Sequence, residues 1–391
     1  MRVVLNDFAG HPFTLSLAET LQEMTVEVDY AYCVSNSTPH ADFDSASVLV
    51  SPLSSGRSFE KYGVVRRIVA ELLYGLNSAR QVLRLKPQEV VMNNTPILSL
   101  LPVWLACRVR RARYTVWLQD VQSGLVAGVK GDKSAASRAA AAAEGFALRR
   151  ADRVVAISEP LAQATRAFGV RPDNVRVLPN WAPVEGLDAG SQTNPWSVEH
   201  DLAGHTVLLY SGTLAKKHTP DLLLALADGL PDAIVVVVSS GDGADALAAA
   251  QAQLPRPNLR LFPFQPFDRL NEVLATATVL IVLLTDEASG HSVPSKVLSY
   301  LAAERPVLAS MPVDNPAATL VADEAQAGFV VPPGDVDRLV ECARELLDDS
   351  ELSGRMARSG RRFAEQHFAR DVVAKAFLEA AGIRLPAVDA S

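Results

Sequence analysis

Short, wholly apolar runs recur along this chain, each leading into a polar or glycine-bearing turn and then a helical segment, and they limit what it can fold into. Ile234 to Ser239 and Thr278 to Leu284 are the clearest of them. A strand that is apolar at every position needs cover on both faces, as in a parallel sheet sandwiched between helices. Alternation of such strands with helices along the whole chain points to an α/β architecture.

The first round opens with a strand at Arg2 to Leu5, a polar turn at Asn6 to His11 and a helix at Pro12 to Leu21. Val26 to Val34 reads as a second strand, and residues 35–57 as a long, Ser-rich loop. Val64 to Leu83 is amphipathic, with Ile68, Leu72, Leu76 and Val82 roughly one turn apart. Further strands are expected at Glu89 to Met92, Tyr114 to Leu118 and Arg153 to Ile157, with helices at Thr95 to Val109 and at the Ala-rich Lys133 to Arg150. Glu185 to Trp196, rich in Gly, Ser, Asp and Pro, reads as a linker. The pattern then restarts with strands at Thr206, Ile234, Leu259, Thr278, Val307 and Gly328. At 391 residues the chain exceeds a single core. Two domains are expected, 1–185 and 186–368, with 369–391 a terminal helix packing back on the first.

Composition removes several function classes. A net charge of −7 argues against a dedicated nucleic-acid binder. Cys33, Cys107 and Cys342 are widely spaced, which disfavours both a disulfide scaffold and a cysteine metal site, so a reducing, cytoplasmic location is expected. Met1 to Leu5 already reads as a strand, leaving no room for a secretory leader. The longest apolar stretch, Pro96 to Cys107, is too short for a membrane span and is interrupted by Pro102.

Gly290 to Val307 carries the strongest chemical signal. Pro294 opens a helix whose next residues are Ser295, a hydroxyl, and Lys296, a cation. Unpaired backbone N–H groups and about half a positive charge sit at a helix N-terminus, so a phosphate there meets donors and charge together. Taken alone, the stretch also fits an ordinary strand, loop and helix with an incidental Ser-Lys pair. Gly241-Asp242-Gly243 lacks the spacing of a dinucleotide site. Asp42-Phe43-Asp44 and Asp335-Val336-Asp337 read as caps or solvated turns, and no metal site is expected.

Taken together, these segments resemble the GT-B glycosyltransferases, specifically the large retaining family that includes the capsular and colanic-acid-type bacterial enzymes. In the second half the resemblance rests on Tyr210 to His218, Phe262 to Gln265, Ser292 to Ala303 and Gly328 to Asp335. The first half adds Gly10 to Phe13, Trp117 to Asp120 and Ala151 to Ser158. Membership implies the GT-B fold, two Rossmann-like domains facing each other across a cleft. It implies a nucleotide-diphosphate sugar, with UDP favoured, held by the second domain and an acceptor held by the first. The acceptor is read as a carbohydrate, a lipid-linked sugar or a small molecule, and no cofactor or metal is implied.

The resemblance assigns the diphosphate to Gly212, Thr213, Lys216 or Lys217, Pro294, Ser295 and Lys296, with Lys217 favoured because the family pattern runs Lys-His. Gln265 corresponds to the base-binding segment, although Phe264 beside it also fits a loop that merely packs. The family's two glutamates fall here on His291 and Ser299, and a serine offers one weaker bond where a carboxylate offers two charge-assisted ones. Glu287, just upstream, is the residue that would take over a polar role. Glu304 stands where a helix-ending Gly is usual. On the acceptor side the counterparts are Gly10, His11 and Asp120; His11 also fits a capping or packing role, and Asp120 a turn cap. Two other readings share the fold: a sugar-nucleotide 2-epimerase and a non-catalytic nucleotide-sugar binder. Arg108, Arg110, Arg111, Arg113, Lys130, Lys133 and Arg138 make the first half locally basic, either as a solvated face or as a contact with the inner membrane leaflet.

Overall fold

The computed structural model describes residues 1–34, 47–55, 64–121, 123, 135–182, 184, 187, 190–214, 219–285 and 294–385. They form two compact units. Met1–Pro179 together with Arg370–Ser391 makes the first, and Asn180–Ala369 the second, so the division falls ahead of residue 185.

Seven parallel strands build the sheet of the first unit: β1 (Arg2–Asp7), β2 (Glu27–Cys33), β3 (Leu49–Leu53), β4 (Glu89–Asn93), β5 (Arg113–Leu118), β6 (Arg153–Ala156) and β7 (Val175–Val177). Their order is β3-β2-β1-β4-β5-β6-β7. Helices α1 (Pro12–Glu23), α2 (Val64–Leu85), α3 (Ile97–Arg110), α4 (Ala135–Leu148) and α5 (Glu159–Ala167) connect them. Ser158 caps α5, accepting from Leu161 N at 3.4 Å, and Pro160 occupies its first turn. The C-terminal helix Arg370–Ala381 adds Phe377, whose ring lies 5.2 Å from that of Trp117, and Arg370, which donates to Thr20 Oγ1 at 2.9 Å.

Strand β3 lies inside the expected loop 35–57. Pro52 within it obscures the strand signal, and it is tolerated because β3 is the sheet edge. The apolar row of α2 also departs from simple amphipathic packing. Val82 is buried, but Ile68, Leu72 and Leu76 are exposed. The face that packs instead carries Tyr74 and Ser78, which bond Asn6 of β1 (Tyr74 Oη donates to Asn6 Oδ1 at 2.6 Å and Asn6 Nδ2 to Ser78 Oγ at 3.2 Å), and Gly75, which lets α3 come close. A Cβ on Gly75 would stand 2.7 Å from Ser99 Cα, and Ser99 Oγ donates to Glu71 O at 2.5 Å.

The second unit repeats the plan with six parallel strands: β8 (Val207–Ser211), β9 (Ile234–Val238), β10 (Leu259–Phe262), β11 (Val279–Leu283), β12 (Val307–Ser310) and β13 (Gly328–Val331). They are ordered β10-β9-β8-β11-β12-β13. Strands β9 and β11 are buried at every position, as their wholly apolar composition requires. The helices are α6 (Pro195–Glu199), α7 (Asp221–Gly229), α8 (Asp242–Gln253), α9 (Leu270–Ala275), α10 (Ser295–Ala302), α11 (Pro316–Thr319), α12 (Val336–Asp348) and α13 (Ser350–Phe368). Asp335 is the N-cap of α12, accepting from Arg338 N at 3.1 Å, in keeping with the capping reading of that Asp-x-Asp triplet; Asp42-Phe43-Asp44 lies outside the described residues. Residues 194–199 are not linker. Asn194 and Ser197 form a capping box that starts α6, and Trp196 is fully buried.

Just beyond α10, Glu304 has φ +52°, the left-handed conformation that a glycine adopts without penalty. A residue other than Gly therefore holds a left-handed position here. Glu304→Gly is expected to raise stability by about 1 kcal/mol, read as a higher urea or thermal midpoint; a lower midpoint would contradict the strain.

Candidate functional site

Both sheets reverse their winding at one place, between β1 and β4 in the first unit and between β8 and β11 in the second. In open α/β sheets the loops at the carboxyl ends of the strands diverge there and leave room for a ligand. The candidate residues of each unit are described separately.

In the second unit β8 ends at Ser211, and Gly212 follows with φ +127°. Gly212 N donates to Val238 O at 3.0 Å and Ser239 Oγ donates to Gly212 O at 2.7 Å, which pins the turn to β9. Helix α10 is tied to the same turn. Tyr300 Oη accepts from Ser211 N at 2.9 Å and donates to Ser211 O at 3.0 Å.

This clasp sets Lys296 above the turn. Its Nζ lies 3.6 Å from the centroid of the Tyr210 ring, and a Cβ on Gly212 would stand 3.1 Å from Nζ and Cε. Nζ is buried and has no hydrogen-bond partner among the described residues. Burial lowers the Lys296 pKa to about 7. A dry ammonium facing an aromatic ring, with no acceptor among the described residues, can be satisfied by an anion. Pro294, which has no N–H to leave unpaired, precedes the exposed Ser295 at the first turn of α10. Ser299 is one turn further along, half-buried.

Not every predicted residue joins this group. Gln265 Oε1 accepts from Trp196 Nε1 at 3.0 Å and its Nε2 donates to Pro263 O at 3.0 Å, so both ends of the amide are engaged within the protein. Thr213 has an exposed side chain, and its carbonyl accepts from Tyr210 Oη at 2.8 Å. Lys216, Lys217, Glu287 and His291 lie outside the described residues.

In the first unit Asp7 ends β1, fully buried, and Gly10 turns the chain with φ +70°. The Asp7 carboxylate accepts from His11 N at 2.6 Å and from Ala9 N at 3.2 Å, and both its oxygens lie 3.0 Å from His11 Nδ1. A carboxylate there fixes the proton on Nδ1 and leaves Nε2 as the acceptor of the neutral ring. Burial pulls the His11 pKa down, but the charge and hydrogen bond of Asp7 outweigh it and the net shift is upward. Asn93 connects the neighbouring ends: its Nδ2 donates to Thr14 Oγ1 at 3.4 Å and its Oδ1 accepts from Gln119 Nε2 at 2.8 Å. Asp120 is exposed, and its Oδ1 accepts from Val121 N at 2.7 Å, a turn-capping bond.

Sequence reasoning overlooked Asp7 and Asn93. The signal for both was a polar residue closing an otherwise apolar strand, which is where such sheets place ligand-side groups. Among the described residues no group of three or more His, Cys, Asp or Glu could hold a metal ion, and no helix is long and apolar enough to cross a membrane.

Two parallel-sheet α/β units, the second with a buried lysine at its strand reversal, are the architecture of the GT-B fold. Residues 9–181 match the Glycosyl transferase 4-like domain family and residues 195–363 match the Glycosyl transferases group 1 family. The chain belongs to the family-4-like glycosyltransferases of the GT-B fold, and it is a transferase enzyme. WcaI of Escherichia coli, described as a colanic acid biosynthesis glycosyl transferase, is 25% identical over 75% of this chain and 74% of its own. WbjE of Pseudomonas aeruginosa, described as a glycosyltransferase, is 26% identical over 71% and 72%. Among solved structures, sucrose-phosphate synthase from Thermosynechococcus elongatus superposes with a TM-score of 0.76 at 15% identity, covering 97% of this chain and 98% of its own. HepE of Anabaena, solved with UDP, gives 0.72 at 14% identity, covering 98% and 100%. These likenesses establish the fold.

Two outcomes follow from the titrating groups. Asp7→Asn is expected to drop the His11 pKa below 6.5, because burial then acts unopposed; an NMR titration of the imidazole reads this, and an unchanged midpoint would contradict it. Lys296 is depressed from 10.5 to about 7, so forcing it to carry charge destabilises the fold fully below pH 7, and the effect fades as pH rises toward 10. Lys296→Met is expected to unfold at a higher temperature than wild type, with the gap widest below pH 7 and closing at alkaline pH.

Proposed function

We propose that the protein moves a sugar from a uridine-diphosphate sugar to an acceptor hydroxyl with retention of anomeric configuration. The observation that carries the reading is the dry Lys296 ammonium, without a partner among the described residues, beside Gly212 at the start of α10. UDP is favoured because HepE, of like fold, has been solved with UDP and with UDP-glucose. The sugar is read as a hexose, and the acceptor as a carbohydrate, a lipid-linked sugar or a small molecule, in polysaccharide, glycolipid or glycosylated-metabolite synthesis.

As the bond between the anomeric carbon and the phosphate oxygen breaks, negative charge builds on the departing diphosphate. Lys296 and the backbone N–H groups of Ser295 and Lys296 at the start of α10 oppose that charge, which removes the need for a metal in this reading. At an effective dielectric of 20, an ammonium about 4 Å from a phosphate oxygen gains on the order of 4 kcal/mol before desolvation. Here burial has already removed most water from Nζ. Gly212 allows the close approach, since any side chain there would press on the lysine. The acceptor oxygen attacks from the face the phosphate leaves, and its proton passes to the leaving phosphate oxygen. His11, oriented by Asp7, positions the acceptor hydroxyl through Nε2, and Lys217 adds a second cation at the diphosphate. Asp120 lends polarity on the acceptor side. Ser299 contributes one hydrogen bond to the ribose in place of a carboxylate.

Incubation with UDP-, GDP- and dTDP-sugars and candidate acceptors tests the reading. Expected are release of UDP with a retained glycoside, no loss with chelator, and a fall of about 10²–10³ in kcat/KM for Lys296→Ala. An altered sugar without transfer, or binding without turnover, would replace it with an epimerase or a binding protein.

A further inference from the structure

The exposed face of α2 is built for something other than water. Ile68, Val69, Leu72, Leu73 and Leu76 share that face, and each is 40–50% exposed. The opposite face of the same helix is already packed, against β1 through Tyr74 and Ser78 and against α3 at Gly75, so this stripe is surplus to the core. At every fourth position the row runs Ile68, Leu72, Leu76, Arg80 and Arg84, passing from apolar to cationic. On α3, Leu105 and Val109 are exposed as well, with Arg108 and Arg110 beside them.

We propose that this face docks the protein on the surface of an anionic phospholipid bilayer. An apolar stripe edged by arginine suits the boundary between acyl chains and negatively charged headgroups. Charge decides between this partner and a second copy of the chain. Between residues 64 and 113 the only acidic residues are Glu71 and Glu89; both are buried, and they pair with Arg67 and Arg113. A second copy of the face would therefore bring arginines and no carboxylate to meet them. Lipid phosphate supplies the missing anion. With a net charge of −7, the molecule as a whole is repelled by such a surface, so attachment has to be local to this face. The inference is independent of the transfer reading, because binding to lipid is measured without turnover.

The test is co-sedimentation of the full chain with vesicles of phosphatidylcholine alone or mixed with phosphatidylglycerol. Binding is expected only with phosphatidylglycerol, and it should weaken as salt is raised. Leu72→Gln/Leu76→Gln should bind those vesicles about tenfold more weakly or worse, while its circular dichroism and thermal midpoint stay at the wild-type values because both side chains are exposed. Failure of the wild type to bind either vesicle, or equal binding by the double variant, overturns the proposal. So does a dimer in light scattering that the double variant dissolves, since the face would then be a contact between copies.

Discussion

Parallel strands covered on both faces leave the chain one place for polar chemistry, the carboxyl ends of the strands. The dependence is visible in both units, where strands buried at nearly every position stop at a polar or glycine-bearing turn: Asp7 and Gly10 after β1, Asn93 after β4, Ser211 and Gly212 after β8. Reversal of the winding order then selects two of those ends in each sheet. Few polar residues are needed once the sheet has done this. A single clasp, Tyr300 on Ser211, is enough to bring α10 and its lysine over the β8 turn.

How far the sequence could be read depended on how local each cause was. Gly212, Pro294 and Ser295-Lys296 act within a few residues of chain, so their pattern carried over directly into position. Strands β9 and β11 were equally legible because nothing but burial suits them. Asp7 was not, since what matters about it is a bond to His11 after a turn that only the folded backbone defines. Gln265 shows the converse: its place in the family segment was clear, but not that buried Trp196, which reads as linker, would claim its amide oxygen. Helix α2 shows why periodicity gives a stripe without giving its direction. Large apolar residues at helical spacing ordinarily mark the core side, yet here Tyr74, bonded to Asn6, and Gly75, close to Ser99 of α3, take that side instead.

Tyr210, Gly212 and Lys296 form one unit in physical terms, and each restricts the others. The ring offers the ammonium a partial substitute for water, on the order of 2 kcal/mol when desolvated. That is smaller than the penalty of burying a charge, and the remainder is expressed in the lowered pKa of Lys296. A guanidinium would not serve in the same way. It stays charged when buried, and its planar fork is broader than an ammonium, while Gly212 already leaves a gap only as wide as a missing Cβ. A lysine buried in this way can instead shed its proton, which its lowered pKa expresses.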